Sequence, residues 1–308
     1  KLALARETDS TLYQVEMSVA FDAGVHRAIL LDRIAPSYRY NRYLEHDALG
    51  INCGVRRRGL TDPMVLETTS LPVYFQPLIR QFDLPTSPNF DALGSKDGGL
   101  DVVKGLLGAF DDWLADVEAS KPYGRSLDPV VDAADYAREK AQFESIDLRG
   151  WSGERDAIAR GVAILEKAFA AQTAGKGVSD PEVIPLTAWR FMNQAFGQFW
   201  KEKNASVEGW RLFQIAFILS QIPAIVSRIE CWKDNAAITA KDDREASLLY
   251  FSTGGGKSES FFGLLVFCLA FDRLRGKHHG VTALVRYPLR LLTSQQAQRL
   301  SQVLAAAH

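Results

Sequence analysis

Residues 247–260 run Ser247-Leu248-Leu249-Tyr250-Phe251-Ser252-Thr253-Gly254-Gly255-Gly256-Lys257-Ser258-Glu259-Ser260. The apolar run 247–251 suits a buried parallel strand. Three glycines, a lysine and a serine follow, and Glu259 to Leu274 reads as a helix. Glycine has no Cβ, so the backbone N–H groups of such a loop can close around phosphate oxygens. The helix that follows points its N-terminus at the same anion. In that arrangement Lys257 reaches the β- and γ-phosphates of a nucleotide, and the Ser258 hydroxyl is a ligand for Mg2+. A Gly-rich surface turn is the plainer alternative, but it leaves the flanking apolar run and helix unexplained.

Working outward, Val281-Thr282-Ala283-Leu284-Val285 reads as a second buried strand and Leu289 to Leu304 as a second helix. The order is β–loop–α–β–α, an α/β pattern with the glycine loop at its first strand-to-helix turn. Pro288-Leu289-Arg290-Leu291-Leu292-Thr293-Ser294-Gln295 opens the second helix. Arg290 supplies charge there, while Thr293 and free helix N–H groups supply uncharged donors, as phosphate-backbone contacts require. A proline near a helix start is also common by itself. Residues 251–308 hold seven Lys/Arg against two Asp/Glu, a net of +5, although the whole chain is at −1. The positive field is therefore concentrated where a phosphate polymer would lie.

Upstream, apolar residues recur at spacings of three and four. Val103, Leu106, Leu107, Phe110, Trp113, Leu114 and Val117 form one stripe; Ile158, Val162, Leu165 and Phe169 form another. Two aromatic-rich helices follow, with Trp189, Met192, Phe196, Phe199 and Trp200 on the first and Trp210, Phe213, Phe217, Leu219 and Ile222 on the second. Aromatic stripes at helical spacing predict core, and Pro223 predicts a kink or an end. Residues 1–100 are irregular, with strand-like alternation from Tyr13 to Phe21 and an Arg56-Arg57-Arg58 cluster that reads as a solvated strand end or a phosphate contact. Ala174 to Pro181 has the composition of an exposed linker. Three regions are expected: an accessory domain of mixed strands and helices at 1–177, a helical lead-in at 178–245, and the α/β unit at 246–308.

The chain has 308 residues, 36 Lys+Arg against 37 Asp+Glu, 47% apolar and 24% charged residues. These values exclude a disordered tail, a collagen-like fibre, a string of membrane spans and a histone-like protein that binds by bulk charge. Cys53, Cys231 and Cys268 form no CxxC, so neither a zinc site nor a disulfide framework is signalled. Leu212 to Val226 and Phe261 to Phe271 are too short for membrane spans. His278-His279 reads as a solvated pair. No charged-then-apolar leader opens the chain, which points to the cytoplasm.

The glycine loop breaks the strict GxxxxGK[ST] pattern, because Phe251 stands at its first glycine. The shorter TGxGK[ST], complete from Thr253 to Ser258, resembles the superfamily 2 helicases. Pro288, Arg290, Leu292 and Gln295 are similar to their PTRELAxQ segment, with Leu289 and Leu291 departing from it. The pairing of TGGGKSE with Val285-Arg286-Tyr287-Pro288-Leu289-Arg290-Leu291-Leu292-Thr293 and Gln295-Gln296 resembles the helicase-like subunit of DISARM, a bacterial anti-phage system, as does Trp210 to Leu219. The resemblance covers about residues 208–302.

It implies the start of a RecA-like P-loop motor domain that hydrolyses ATP with Mg2+ and moves on DNA. The triphosphate would be held by Thr253, Gly254, Gly255, Gly256, Lys257, Ser258 and Glu259, with Gln214 as an adenine-reading glutamine. Arg286, Pro288, Arg290, Thr293 and Gln295 would contact the DNA backbone. Implied partners are a subunit with a domain of unknown function and a DNA methyltransferase of the same system. Such motors need a DExx motif after the second strand and helix, and none follows the loop here. The expectation is a portion of a longer protein, inactive by itself, whose numbering could close gaps. A nucleotide-gated DNA scaffold and an ATPase that remodels protein are the alternatives.

Overall fold

The structure is a computed structural model describing residues 16–21, 53–58, 64–69, 82, 84–124, 130–131, 133–240, 242, 244–251, 255–287 and 290–306. The elements run β1 (Ser18–Phe21), β2 (Gly54–Arg58), β3 (Met64–Thr69), α1 (Phe90–Leu93), α2 (Leu100–Ser120), α3 (Ala133–Gln142), a π-helical turn (Phe143–Asp147), α4 (Leu148–Thr173), α5 (Ile184–Glu202), α6 (Leu212–Val226), a 3-10 turn (Glu230–Trp232), α7 (Lys257–Leu274) and α8 (Arg290–Ala306). The chain divides into two compact units, one of Lys1–Ile79 with Pro122–Ala141, the other of Arg80–Lys121 with Gln142–His308.

The first unit contains a three-stranded antiparallel sheet in the order β1-β3-β2. Arg56 sits opposite Glu67 in the register. Arg56 and Arg58 both donate to the Glu67 carboxylate, at 3.1 and 2.9 Å. The Arg58 hydrogen bond, opposed by partial burial and helped by Arg56, lowers the Glu67 pKa. Two arginines of the basic cluster are thus held within the sheet.

The second unit is helical. The stripes read from the sequence supply much of its core: Val103, Ile158, Val162, Leu165, Trp189, Met192, Phe196, Leu219 and Ile222 are buried, whereas Leu107, Phe110, Trp113, Leu114 and Val117 of α2 are half-buried. Helix α6 carries apolar residues almost all round and lies among α4 and α7, while α5 packs on α1, α4, α7 and α8. Pro223 does not end α6, which continues to Val226. Proline has no N–H, so the carbonyl of Leu219, four residues earlier, loses its helical donor. That carbonyl is where α4 crosses α6. A Cβ on Gly161 would stand 2.1 Å from Leu219 O, so only glycine allows this approach.

Tryptophans fix the remaining contacts. Trp189 Nε1 donates to Gly98 O at 2.9 Å, and Trp210 Nε1 donates to Asn193 Oδ1 at 2.7 Å. Asn193, fully buried, donates in turn to Trp189 O at 2.9 Å. Both ends of its amide are therefore satisfied, as burial demands.

Two sequence readings meet a different structure. Residues 174–181 do not separate units, and the expected boundary at 177/178 falls inside the second unit. The segment is built into it: Val183 N and Ile184 N donate to Asp180 O, Thr187 Oγ1 donates to Val178 O, and Trp232 Nε1 donates to Pro181 O. Nor are 247–251 and 281–285 strands in this structure. Leu248, Tyr250, Val281 and Leu284 are instead 88, 84, 76 and 91% exposed. A strand exists only as one side of a hydrogen-bonded ladder, and among the described residues neither segment has such a neighbour.

Candidate nucleotide and nucleic-acid site

Gly256 is the N-cap of α7, with φ 88 and ψ 29, a left-handed conformation that favours glycine. Lys257 and Ser258 form the first turn, so the helix begins at the lysine, two residues before the Glu259 start read from the sequence. Gly255 is buried, and Lys257 and Ser258 are half-buried. Lys257 Nζ donates to Phe251 O at 2.7 Å. Ser252, Thr253 and Gly254 lie outside the described residues.

The first turn of α6 holds this loop. Gln214 Nε2 donates to Gly256 O at 2.7 Å, although 42 residues separate them. Gln214 Oε1 accepts from the amide of Arg211, the α6 N-cap, at 2.8 Å. The orientation of the Gln214 amide follows from its partners, since a carbonyl needs a donor and an N–H needs an acceptor. Arg211 Nη1 donates to Gly255 O at 2.7 Å. The Phe213 ring stacks on Phe251 at 3.9 Å and 14°. The sequence placed Phe213 in a core stripe and gave Arg211 no role at the loop. The local signal was the spacing of Arg211 and Gln214, with a Gln at N3 that can reach back to the N-cap amide.

Helix α7 is seated by its own glycine. A Cβ on Gly263 would stand 2.7 Å from Trp210 Cη2 and 2.9 Å from Ile218 Cδ1. Phe262, Val266, Phe267 and Phe271 are buried below it. Glu259, in the first turn of α7, forms an ion pair with Arg299 of α8. The Ser260 hydroxyl is fully buried and has no hydrogen-bond partner among the described residues.

The turn after α7 is organised by Asp272, which is buried. Its carboxylate accepts from Arg275 Nε at 2.9 Å, Lys277 Nζ at 2.7 Å and Thr282 Oγ1 at 2.9 Å. Burial acts to raise its pKa, but the bonds from Lys277, Thr282 and Arg275 outweigh burial and hold it below the usual carboxylate value. Thus Arg275, Lys277 and Arg299 of the basic segment are all engaged by acids. Cys268, on the same helix, is half-buried, and desolvation pushes its thiol up to about 11.

Of the residues expected at a nucleic-acid backbone, Arg286 is exposed, Arg290 opens α8, and Thr293 and Gln295 are exposed in its first turns. Pro288 lies outside the described residues. The structure therefore leaves Arg286, Thr293 and Gln295 accessible. Among the described residues no group of three or more His, Cys, Asp or Glu could hold a metal ion, and His278 and His279 are exposed. No helix of the described residues is long and apolar enough to cross a membrane.

An ammonium, a hydroxyl and a helix N-terminus are donor types that a phosphate group takes. A left-handed glycine starts an 18-residue helix with Lys257 and Ser258 in its first turn, and a Cβ on Gly256 would stand 2.8 Å from Gln214 Nε2. No family model matches the chain, and no solved structure matches it. Over 104 residues the chain is 39% identical to the DISARM protein DrmA of Bacillus paralicheniformis, a stretch that is 32% of this chain and 8% of that relative, and this likeness relates it to a DISARM protein.

Proposed function

We propose that this chain carries the nucleotide loop and the first nucleic-acid contacts of an ATP-dependent DNA translocase or helicase of the superfamily 2 type. It would work in an anti-phage defence complex in the cytoplasm. The observation that supports this most is the Gly255–Ser258 turn into α7, with Gly256 left-handed and its carbonyl held by Gln214. The likeness to a DISARM protein supports the defence setting.

In this reading Thr253 to Ser258 surround the triphosphate of ATP, and the start of α7 supplies N–H groups and a positive dipole end. Lys257 stabilises negative charge on the terminal phosphates. Ser258 offers its hydroxyl to Mg2+, and bound ATP-Mg supplies the phosphoryl transfer that drives movement. The loop and α7 form the start of a RecA-like domain, in which 247–251 and 281–285 become strands once they have neighbours. Arg286, Arg290, Thr293 and Gln295 grip the DNA backbone without reading bases. The complex would include a partner subunit with a domain of unknown function, with a DNA methyltransferase in the same system.

DNA binding by the full-length protein, measured across a salt series with ATP and with ADP, tests this. The affinity falls steeply with salt, by about 0.7 to 0.9 log units per log unit of salt for each neutralised phosphate. Replacing Arg286 or Arg290 with Ala flattens the slope by about one contact. A salt-independent interaction, or none, would favour an ATPase acting on protein.

A further inference from the structure

Arg211 and Gln214 grip two successive peptide groups of the loop from one side. The Gly255 and Gly256 carbonyls both accept from the first turn of α6, each at 2.7 Å. In a planar trans peptide the C=O and N–H point in opposite directions. The amide paired with the Gly255 carbonyl belongs to Gly256, and the one paired with the Gly256 carbonyl belongs to Lys257. With both carbonyls drawn toward α6, both amides point away from it, at the start of α7. Glycine peptides rotate with little resistance, so an unanchored loop could turn carbonyl oxygens, rather than amides, toward an anion. Carbonyl oxygens would repel phosphate.

We infer that Arg211 and Gln214 are positioning residues that set the peptide polarity of the loop, so that its phosphate affinity is controlled from the first turn of α6. This assigns Gln214 to the phosphates rather than to the base, because its amide oxygen caps Arg211 N and its amide nitrogen holds Gly256 O. The inference rests on the phosphate-loop reading above.

Isothermal titration of the full-length protein with ATP, GTP and inorganic tripolyphosphate tests it. The chains compared are wild type, Arg211→Ala, Arg211→Lys and Gln214→Ala, with Lys257→Ala as reference. Loss of one such hydrogen bond weakens binding by about three- to tenfold. Arg211→Ala and Gln214→Ala each weaken all three ligands by a similar factor, and Arg211→Lys recovers part of the loss. Stoichiometry stays at the wild-type value, whereas a folding defect would lower it and leave the Kd of the remaining sites unchanged. A Gln214→Ala chain that loses discrimination between ATP and GTP but binds tripolyphosphate normally overturns the assignment of Gln214. Unchanged binding in Arg211→Ala overturns that of Arg211. If wild type binds none of the ligands, the phosphate-loop reading itself fails.

Discussion

Gly256→Ala probes the loop at its tightest point. The backbone has φ 88, where an L-residue with a Cβ costs about 1–2 kcal/mol. The new methyl would stand 2.8 Å from Gln214 Nε2 and 3.4 Å from Glu259 Oε2. Gln214 must withdraw, giving up its bond to Gly256 O, worth about 0.5–1.5 kcal/mol. The competent loop is therefore disfavoured by about 1.5–3.5 kcal/mol in total. Because the loop can relax locally, the cost appears in ligand affinity, which falls by about 10- to 400-fold. Gly108→Ala in α2 is the control, since nothing lies within 4 Å of its added Cβ and the position is exposed. It gains about 1 kcal/mol from helix propensity and leaves ATP affinity unchanged. Titration with ATP alongside thermal melts separates the two effects. Affinity for ATP within threefold of wild type in Gly256→Ala would refute the reasoning.

Three further outcomes are expected. Gly161→Ala sets a helix-propensity gain of about 1 kcal/mol against a methyl 2.1 Å from the Leu219 carbonyl, so denaturant unfolding shows a net loss of about 1–3 kcal/mol, and a gain would contradict the α4–α6 crossing. Asp272 has a lowered pKa in the folded chain, so its contribution is complete above its unfolded value of about 3.9 and is lost as pH falls through the folded value; Asp272→Asn lowers stability at neutral pH and flattens the acid limb of the stability profile, and an unchanged limb would contradict the cluster. A double-mutant cycle of Glu259→Gln and Arg299→Gln, read by denaturant unfolding, gives a coupling of about 0.5–1.5 kcal/mol, and strict additivity would contradict the contact between α7 and α8.

The local features of the site were legible because they are local. The glycine run followed by a helix was read from the sequence, and α7 does follow the glycines, ending at Leu274 as read and starting two residues earlier, at Lys257. The stripes through Val103, Leu165, Met192 and Ile222 predict buried helix faces, and those residues are buried. What escaped the sequence depends on distant chain segments. Gln214 was placed at the site only through the resemblance, as a reader of adenine; its bond to the Gly256 carbonyl depends on the packing of Gly263 on Trp210 and Ile218, which brings α6 to the loop. The spacing of Arg211 and Gln214 marks a helix start, but nothing local marks the bond from the Arg211 guanidinium to the Gly255 carbonyl. The turn at 174–181 has the composition of a linker, but composition does not reveal that Asp180 and Pro181 carbonyls would be used by Ile184 and Trp232. The apolar runs at 247–251 and 281–285 show strand chemistry, yet pairing is a property of neighbours and cannot be read from one segment.

ATP turnover by the full-length protein, with and without DNA and beside Lys257→Ala, tests the central claim most directly. The account predicts DNA-stimulated hydrolysis that falls by about a hundred- to thousandfold when the lysine is removed. Turnover that ignores DNA, or that survives the loss of Lys257, would contradict it.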